Sequence, residues 1–125
     1  MASILYIPAV NGLEQRFHAL LEMMIPHGRC GIYRSFEELS RALRKPCSNV
    51  KVAVLIAPDR EEITRILSLG DWLCDVRIIL ILADDDKETM VKAHTLRPRY
   101  VTCMDCDVID VVTVFKRMVG LYDSM

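Results

Sequence analysis

Two segments of this chain, Val50 to Ala57 and Val76 to Ala83, are apolar almost from end to end. A strand exposed on one face alternates apolar and polar residues. A strand buried on both faces does not, and that condition is met mainly inside parallel sheets covered by helices. Each run is followed by a helix-opening pattern. Asp59 stands three residues before Glu62, and Asp85 three before Glu88, the spacing of a capping box. These two runs therefore predict β-α units in series rather than a sandwich, a barrel or a helical bundle.

The rest of the chain extends the pattern. Ile4 to Ile7 is a short apolar run followed by the turn signal Asn11-Gly12. Leu13, Phe17, Leu20, Leu21 and Met24 recur at helical spacing, and Pro26 and Gly28 end that helix. Arg29 to Arg34 is a short, mixed strand. Ser35 with Glu38 opens a second helix on Phe36, Leu39 and Leu43, closed by Pro46. Ile63, Ile66 and Leu67 form the buried face of the third, which Gly70 stops. Met90, Ala93 and Leu96 mark the fourth, ended before Pro98. Tyr100 to Cys103 is a fifth strand. Asp107 caps a last helix that runs to about Val119 and stops at Gly120.

The order is β-α five times in 125 residues. That is one domain over residues 1–125, with a radius of gyration of roughly 14 Å. The runs at 4–7, 50–57 and 76–83 read as interior strands, and the mixed runs at 29–34 and 100–103 as edges. Strand order 2-1-3-4-5 follows, a three-layer α/β/α fold of the flavodoxin-like kind. Right-handed crossovers then place the first and last helices on one face and the middle three on the other. The last helix carries eight apolar residues, Val108, Ile109, Val111, Val112, Val114, Phe115, Met118 and Val119, more than one buried face needs.

Composition removes several function classes. Sixteen basic and 17 acidic residues give a net charge of −1, with no long basic stripe, which argues against nucleic acid. The most apolar run, Ile78 to Ala83, is far short of the ~20 residues of a membrane span. The N-terminus has no basic n-region and meets Pro8 early, so it reads as a strand rather than a signal peptide. Cys30, Cys47, Cys74, Cys103 and Cys106 are odd in number and mostly lie within apolar segments. They predict reduced thiols in a cytoplasm. The first turn, Pro8-Ala9-Val10-Asn11-Gly12, lacks the glycines of a dinucleotide fingerprint and the Gly-Lys of a phosphate loop. No nucleotide, flavin or other cofactor is expected.

In open parallel sheets, ligands bind beyond the carboxyl ends of the strands. In length, element order and sheet order the whole chain resembles the response-regulator receiver domain. The resemblance implies an acidic pair after the first strand, where this chain has Pro8 and Ala9. It implies a phosphorylated aspartate at the end of the third, where Ile56 and Ala57 stand. It implies a Ser or Thr ending the fourth, matched by Leu82 or Ala83, and a Lys-Pro pair after the fifth, matched by Cys103 and Met104. Only an aromatic residue on the fifth strand, Tyr100, is kept. Phosphoryl transfer needs a nucleophilic oxygen and a divalent ion, and Pro, Ala and Ile supply neither. The expectation is a pseudo-receiver: a non-enzymatic signalling or regulatory module that binds proteins without aspartyl phosphorylation.

By the same resemblance, a protein partner or a second copy docks on the fourth helix, fifth strand and fifth helix. The candidate surface there is Met90, His94, Arg97, Tyr100, Asp110, Val114, Lys116 and Arg117. The alternative reading is a small ion-binding protein or thiol-dependent enzyme. Asp59, Asp84 and Asp85, with Asp86, Asp105 and Asp107 near them, would then gather a hard cation. Otherwise Cys103-x-x-Cys106 would carry thiol chemistry at a helix N-terminus. The plainer reading makes Asp59, Asp85 and Asp107 helix caps and the other acids solvated loop residues.

Overall fold

A computed structural model describes residues 2–8, 19, 23, 30–45, 50–83, 86–103 and 107–123. The strands are β1 (Ala2–Tyr6), β2 (Cys30–Tyr33), β3 (Val50–Ala57), β4 (Arg77–Leu82) and β5 (Tyr100–Cys103). The described helices are α1 (Phe36–Arg44), α2 (Arg60–Leu67), α3 (Gly70–Leu73), α4 (Lys87–His94) and α5 (Val108–Asp123). The expected helix over residues 13–24 lies outside the described residues, apart from helical positions 19 and 23.

All strand pairs are parallel, in the order β2-β1-β3-β4-β5. This is the expected sheet. β3 and β4 are interior, and every residue from Val52 to Ala57 and from Ile78 to Leu82 is buried. β2 and β5, four residues each, are the short edges.

Alternating side chains divide the core into two layers. On one face Ile4, Tyr6, Ala53, Leu55, Ala57, Ile78, Leu80 and Leu82 pack with Leu39, Leu43, Ile63, Ile66, Leu73 and Ala93 of α1 to α4. On the other, Leu5, Ile7, Val52, Val54, Ile56, Ile79 and Ile81 pack with Val108, Val111, Val112, Phe115 and Met118 of α5. Truncating a leucine or isoleucine in either layer to alanine costs about 2–5 kcal/mol. Packing thus absorbs five of the eight apolar residues of α5, and Val114 packs partly against the same layer. Ile109 is 56% exposed and is a true surplus.

Three boundaries differ from the sequence reading. Gly70 does not end the helical region. α2 finishes at Leu67, and Gly70 opens the one-turn helix α3, which presents Trp72 under the Arg44 guanidinium at 4.8 Å from the ring centroid. Gly120 does not stop α5, which continues to Asp123. One glycine costs only ~1 kcal/mol against alanine, which a 16-residue helix carries. Finally, the residue at the cap position of α4 is Asp86, not Asp85.

Candidate functional site

The carboxyl edge of the sheet is built from the last residues of β1, β3, β4 and β5. Ala57 pairs with Leu82, and Leu82 with Cys103, so three strand ends lie side by side. Ala57 is 1% exposed and Leu82 is fully buried. Pro8, just past β1, is also buried, and Ile56 turns to the α5 face. Ala83 is exposed in the bend that follows β4. Hydrocarbon therefore fills the middle of this edge. Ala9, Asp84, Asp85, Met104, Asp105 and Cys106 lie outside the described residues.

The polar groups at this edge sit around that apolar floor. Tyr6 points to the α2 face and is fully buried. Its hydroxyl donates to Glu62 Oε2 at 2.8 Å. Glu62, only 6% exposed, also accepts from Arg65 Nη1 through Oε1 at 3.1 Å, one turn along α2. Burial pushes the Tyr6 hydroxyl well above its ordinary pKa, and the hydrogen bond to Glu62 and that residue's charge push it the same way. Tyr6 therefore stays a protonated donor, and its oxygen is neither a base nor a nucleophile at neutral pH.

Asp59 caps α2 by accepting from the Glu62 backbone N–H at 2.8 Å, as its spacing predicted. Ser35 caps α1 in the same way, accepting from the Glu38 N–H at 3.2 Å, while Glu38 reaches back to the Arg34 N–H at 3.4 Å. Asp107 Oδ1 accepts from the Ile109 N–H at 3.0 Å and opens α5. The carboxylates of Asp86 and Glu88 are bridged by one guanidinium. Arg60 Nη2 lies 2.7 Å from Asp86 and Nη1 2.8 Å from Glu88, which ties the start of α2 to the start of α4. Among the described residues no group of three His, Cys, Asp or Glu side chains is placed to hold a metal ion. Of the acids in the metal reading that are described, Asp59 and Asp107 are engaged as helix caps and Asp86 is paired with Arg60, and Cys103 is half-buried at the end of β5.

The expected interaction surface divides in two. Met90, Tyr100 and Val114 are half-buried and pack against the two core layers. His94, Arg97, Asp110, Lys116 and Arg117 are exposed. Arg97 has a φ of 53° in the turn between α4 and β5, the single described non-glycine residue with a positive φ. Sequence reading did not single out Val91, 71% exposed on α4, which joins Ile109 as an apolar side chain left in solvent. It also missed the Tyr6–Glu62 pair, for which spacing gives no signal across 56 residues. Among the described residues no helix is long and apolar enough to cross a membrane.

No protein-family model matches the chain, and no curated protein matches it. Solved structures do. The response regulator receiver domain protein (CheY-like) of Methanospirillum hungatei matches with a TM-score of 0.69 at 11% identity, over 100% of this chain and 99% of its own. The signal receiver domain of an HD domain-containing protein from Pseudomonas fluorescens matches with a TM-score of 0.70 at 16% identity, over 99% and 98%. A response regulator from Thermotoga maritima gives 0.64 at 10%, over 96% and 98%. The fold is that of the response-regulator receiver domain, reached with a sequence that shares few residues with these neighbours.

Proposed function

We propose that this chain is a signalling or regulatory module on a receiver fold that works by binding protein, without phosphorylation of an aspartate. The observation that carries the reading is the apolar floor of the carboxyl edge. Ala57, Leu82 and Pro8 are buried hydrocarbon where receiver chemistry would call for a phosphate acceptor, a hydroxyl and a cation-binding acid. An alanine methyl cannot attack phosphorus, and apolar side chains do not hold Mg²⁺. The surrounding acids support the same reading. Asp59 and Asp107 cap helices, Glu62 serves Tyr6 and Arg65, and Asp86 and Glu88 serve Arg60.

Binding would use the face made by α4, β5 and α5, with His94, Arg97, Asp110, Lys116 and Arg117 exposed for contact. The partner is a protein or a second copy of the chain, and the module has no catalytic role. The exposed free thiol of Cys74 fits a reducing cytoplasm.

A thermal melt with and without millimolar Mg²⁺ or Ca²⁺ tests the reading. Saturation at ~100 times a dissociation constant would add ~2.7 kcal/mol to stability. The proposal expects no shift in Tm, and a clear rise would overturn it in favour of an ion-binding edge.

A further inference from the structure

The single tryptophan of the chain, Trp72 in the short helix α3, is 43% exposed. The Arg44 guanidinium lies over its ring, 4.8 Å from the centroid and within cation–π range. Arg44 belongs to the last turn of α1, which packs beside α3. A guanidinium held on a ring keeps its N–H donors in its own plane, where they remain open to a carboxylate. Arg41, in the same turn, and Lys45, the next residue after Arg44, are exposed too. Among the described residues none of these three cations has a carboxylate within ion-pair distance. Favourable placement at a helix C-terminus accounts for the charges. It does not account for the indole that fixes one of them.

A groove of about 500 Å³ runs along this part of α1, lined among the described residues by Phe36, Glu37, Ser40, Arg41, Arg44 and Lys45. Its charge is graded along the helix. Glu37 stands toward one end, and Arg44 lies about 10 Å further along the axis, roughly two turns on. Phe36, half-buried, is at the Glu37 end.

We propose that this groove binds a short acidic segment of a partner protein, its carboxylates on Arg41, Arg44 and Lys45 and an apolar side chain against Phe36. Charge complementarity selects that occupant. The cations are gathered within residues 41–45, and acids bound them. Glu37 lies in the groove, and Asp71 and Asp75 line the adjoining hollow with Trp72 and Lys45. A nucleic acid or an anionic bilayer carries its charge past so small a window and would meet those acids. A peptide can end its run of carboxylates where the cations end. The Phe36 ring and the hydrocarbon stems of the three cations add apolar contact that a free phosphate cannot use. Because Trp72 holds Arg44 in place beforehand, less side-chain freedom is lost on binding. The groove is borne on α1 beside α3, not on α4, β5 and α5. It is a second contact surface and does not rest on the function proposed above.

Fluorescence anisotropy of a labelled short peptide, one leucine followed by three glutamates between neutral residues, tests the proposal on the whole chain at low salt. Binding should saturate below about 1 mM, and the emission of Trp72, the sole tryptophan, should shift with the same midpoint. Arg41→Gln and Arg44→Gln should each raise Kd about threefold, and together about tenfold, with far-UV circular dichroism unchanged. Arg44→Lys keeps the charge but not the flat fork, and should weaken binding about as much as Arg44→Gln. Lys87→Gln removes an exposed cation of α4 and should leave Kd unchanged. Absence of saturable binding, or equal losses in Lys87→Gln and Arg44→Gln, would overturn the proposal. So would equal binding of the peptide with glutamines for glutamates, or an equal Trp72 response to inorganic phosphate, the mark of a general anion site. A Trp72 shift with protein concentration alone would overturn it in favour of a second copy as the occupant.

Discussion

The hydroxyl of Tyr6, at the end of β1, donates to the carboxylate of Glu62, in the first turn of α2, at 2.8 Å between two buried side chains. The bond joins the sheet to a helix directly above the edge where parallel sheets bind ligands. It also commits two polar groups beside the described apolar floor to each other.

Tyr6→Phe removes the donor and leaves Glu62 Oε2 buried without its tyrosine partner. An unsatisfied buried acceptor costs about 1–3 kcal/mol. Urea unfolding should show a loss in that range. Glu62→Gln keeps an acceptor for the tyrosine and should cost less than Tyr6→Phe.

The same pair predicts an alkaline limit to stability. The folded pKa of Tyr6 is raised above the ordinary value of 10.0, first by burial and then by Glu62. Above that ordinary value the unfolded chain loses the proton while the folded chain keeps it. The stabilisation is thus fully present below pH 10 and is lost as pH rises toward the folded pKa, at up to ~1.4 kcal/mol per pH unit. Chemical unfolding from pH 9 to 11.5 should show a steeper fall for wild type than for Tyr6→Phe.

Arg97 carries a strained backbone, with a φ of 53° after the end of α4. The left-handed region costs a residue with a Cβ roughly 1–2 kcal/mol, and glycine avoids that cost while losing more chain entropy on folding. Arg97→Gly should therefore stabilise the protein by about 0.5–1 kcal/mol net. Arg97→Val, β-branched at the same φ, should destabilise it. Paired thermal melts give both signs.

The sheet was legible because burial writes itself into composition. A strand covered on both faces admits almost no polar residue, so β3 and β4 announced themselves as interior, and the mixed runs around Ile32 and Tyr100 as edges. The caps at Ser35, Asp59 and Asp107 were legible because a cap acts over two or three residues. Features made at longer range were not. The four residues of α3 are too few to show a helical period, and Gly70 reads as a stop although it starts that turn. Within Asp84-Asp85-Asp86 nothing local distinguishes the cap position, and Arg60, which pairs with Asp86, is 26 residues away. The exposure of Val91 and Ile109 depends on which sides of α4 and α5 meet the sheet, and the apolar surplus of α5 hinted at only one of the two.

The central claim is that this receiver fold has no phosphoryl chemistry at its carboxyl edge, and intact mass measured after incubation with a small phosphodonor and Mg²⁺ tests it most directly. The account predicts a mass unchanged from that of the untreated protein. Gain of one phosphoryl group, lost again on treatment with hydroxylamine as an acyl phosphate is, would contradict it.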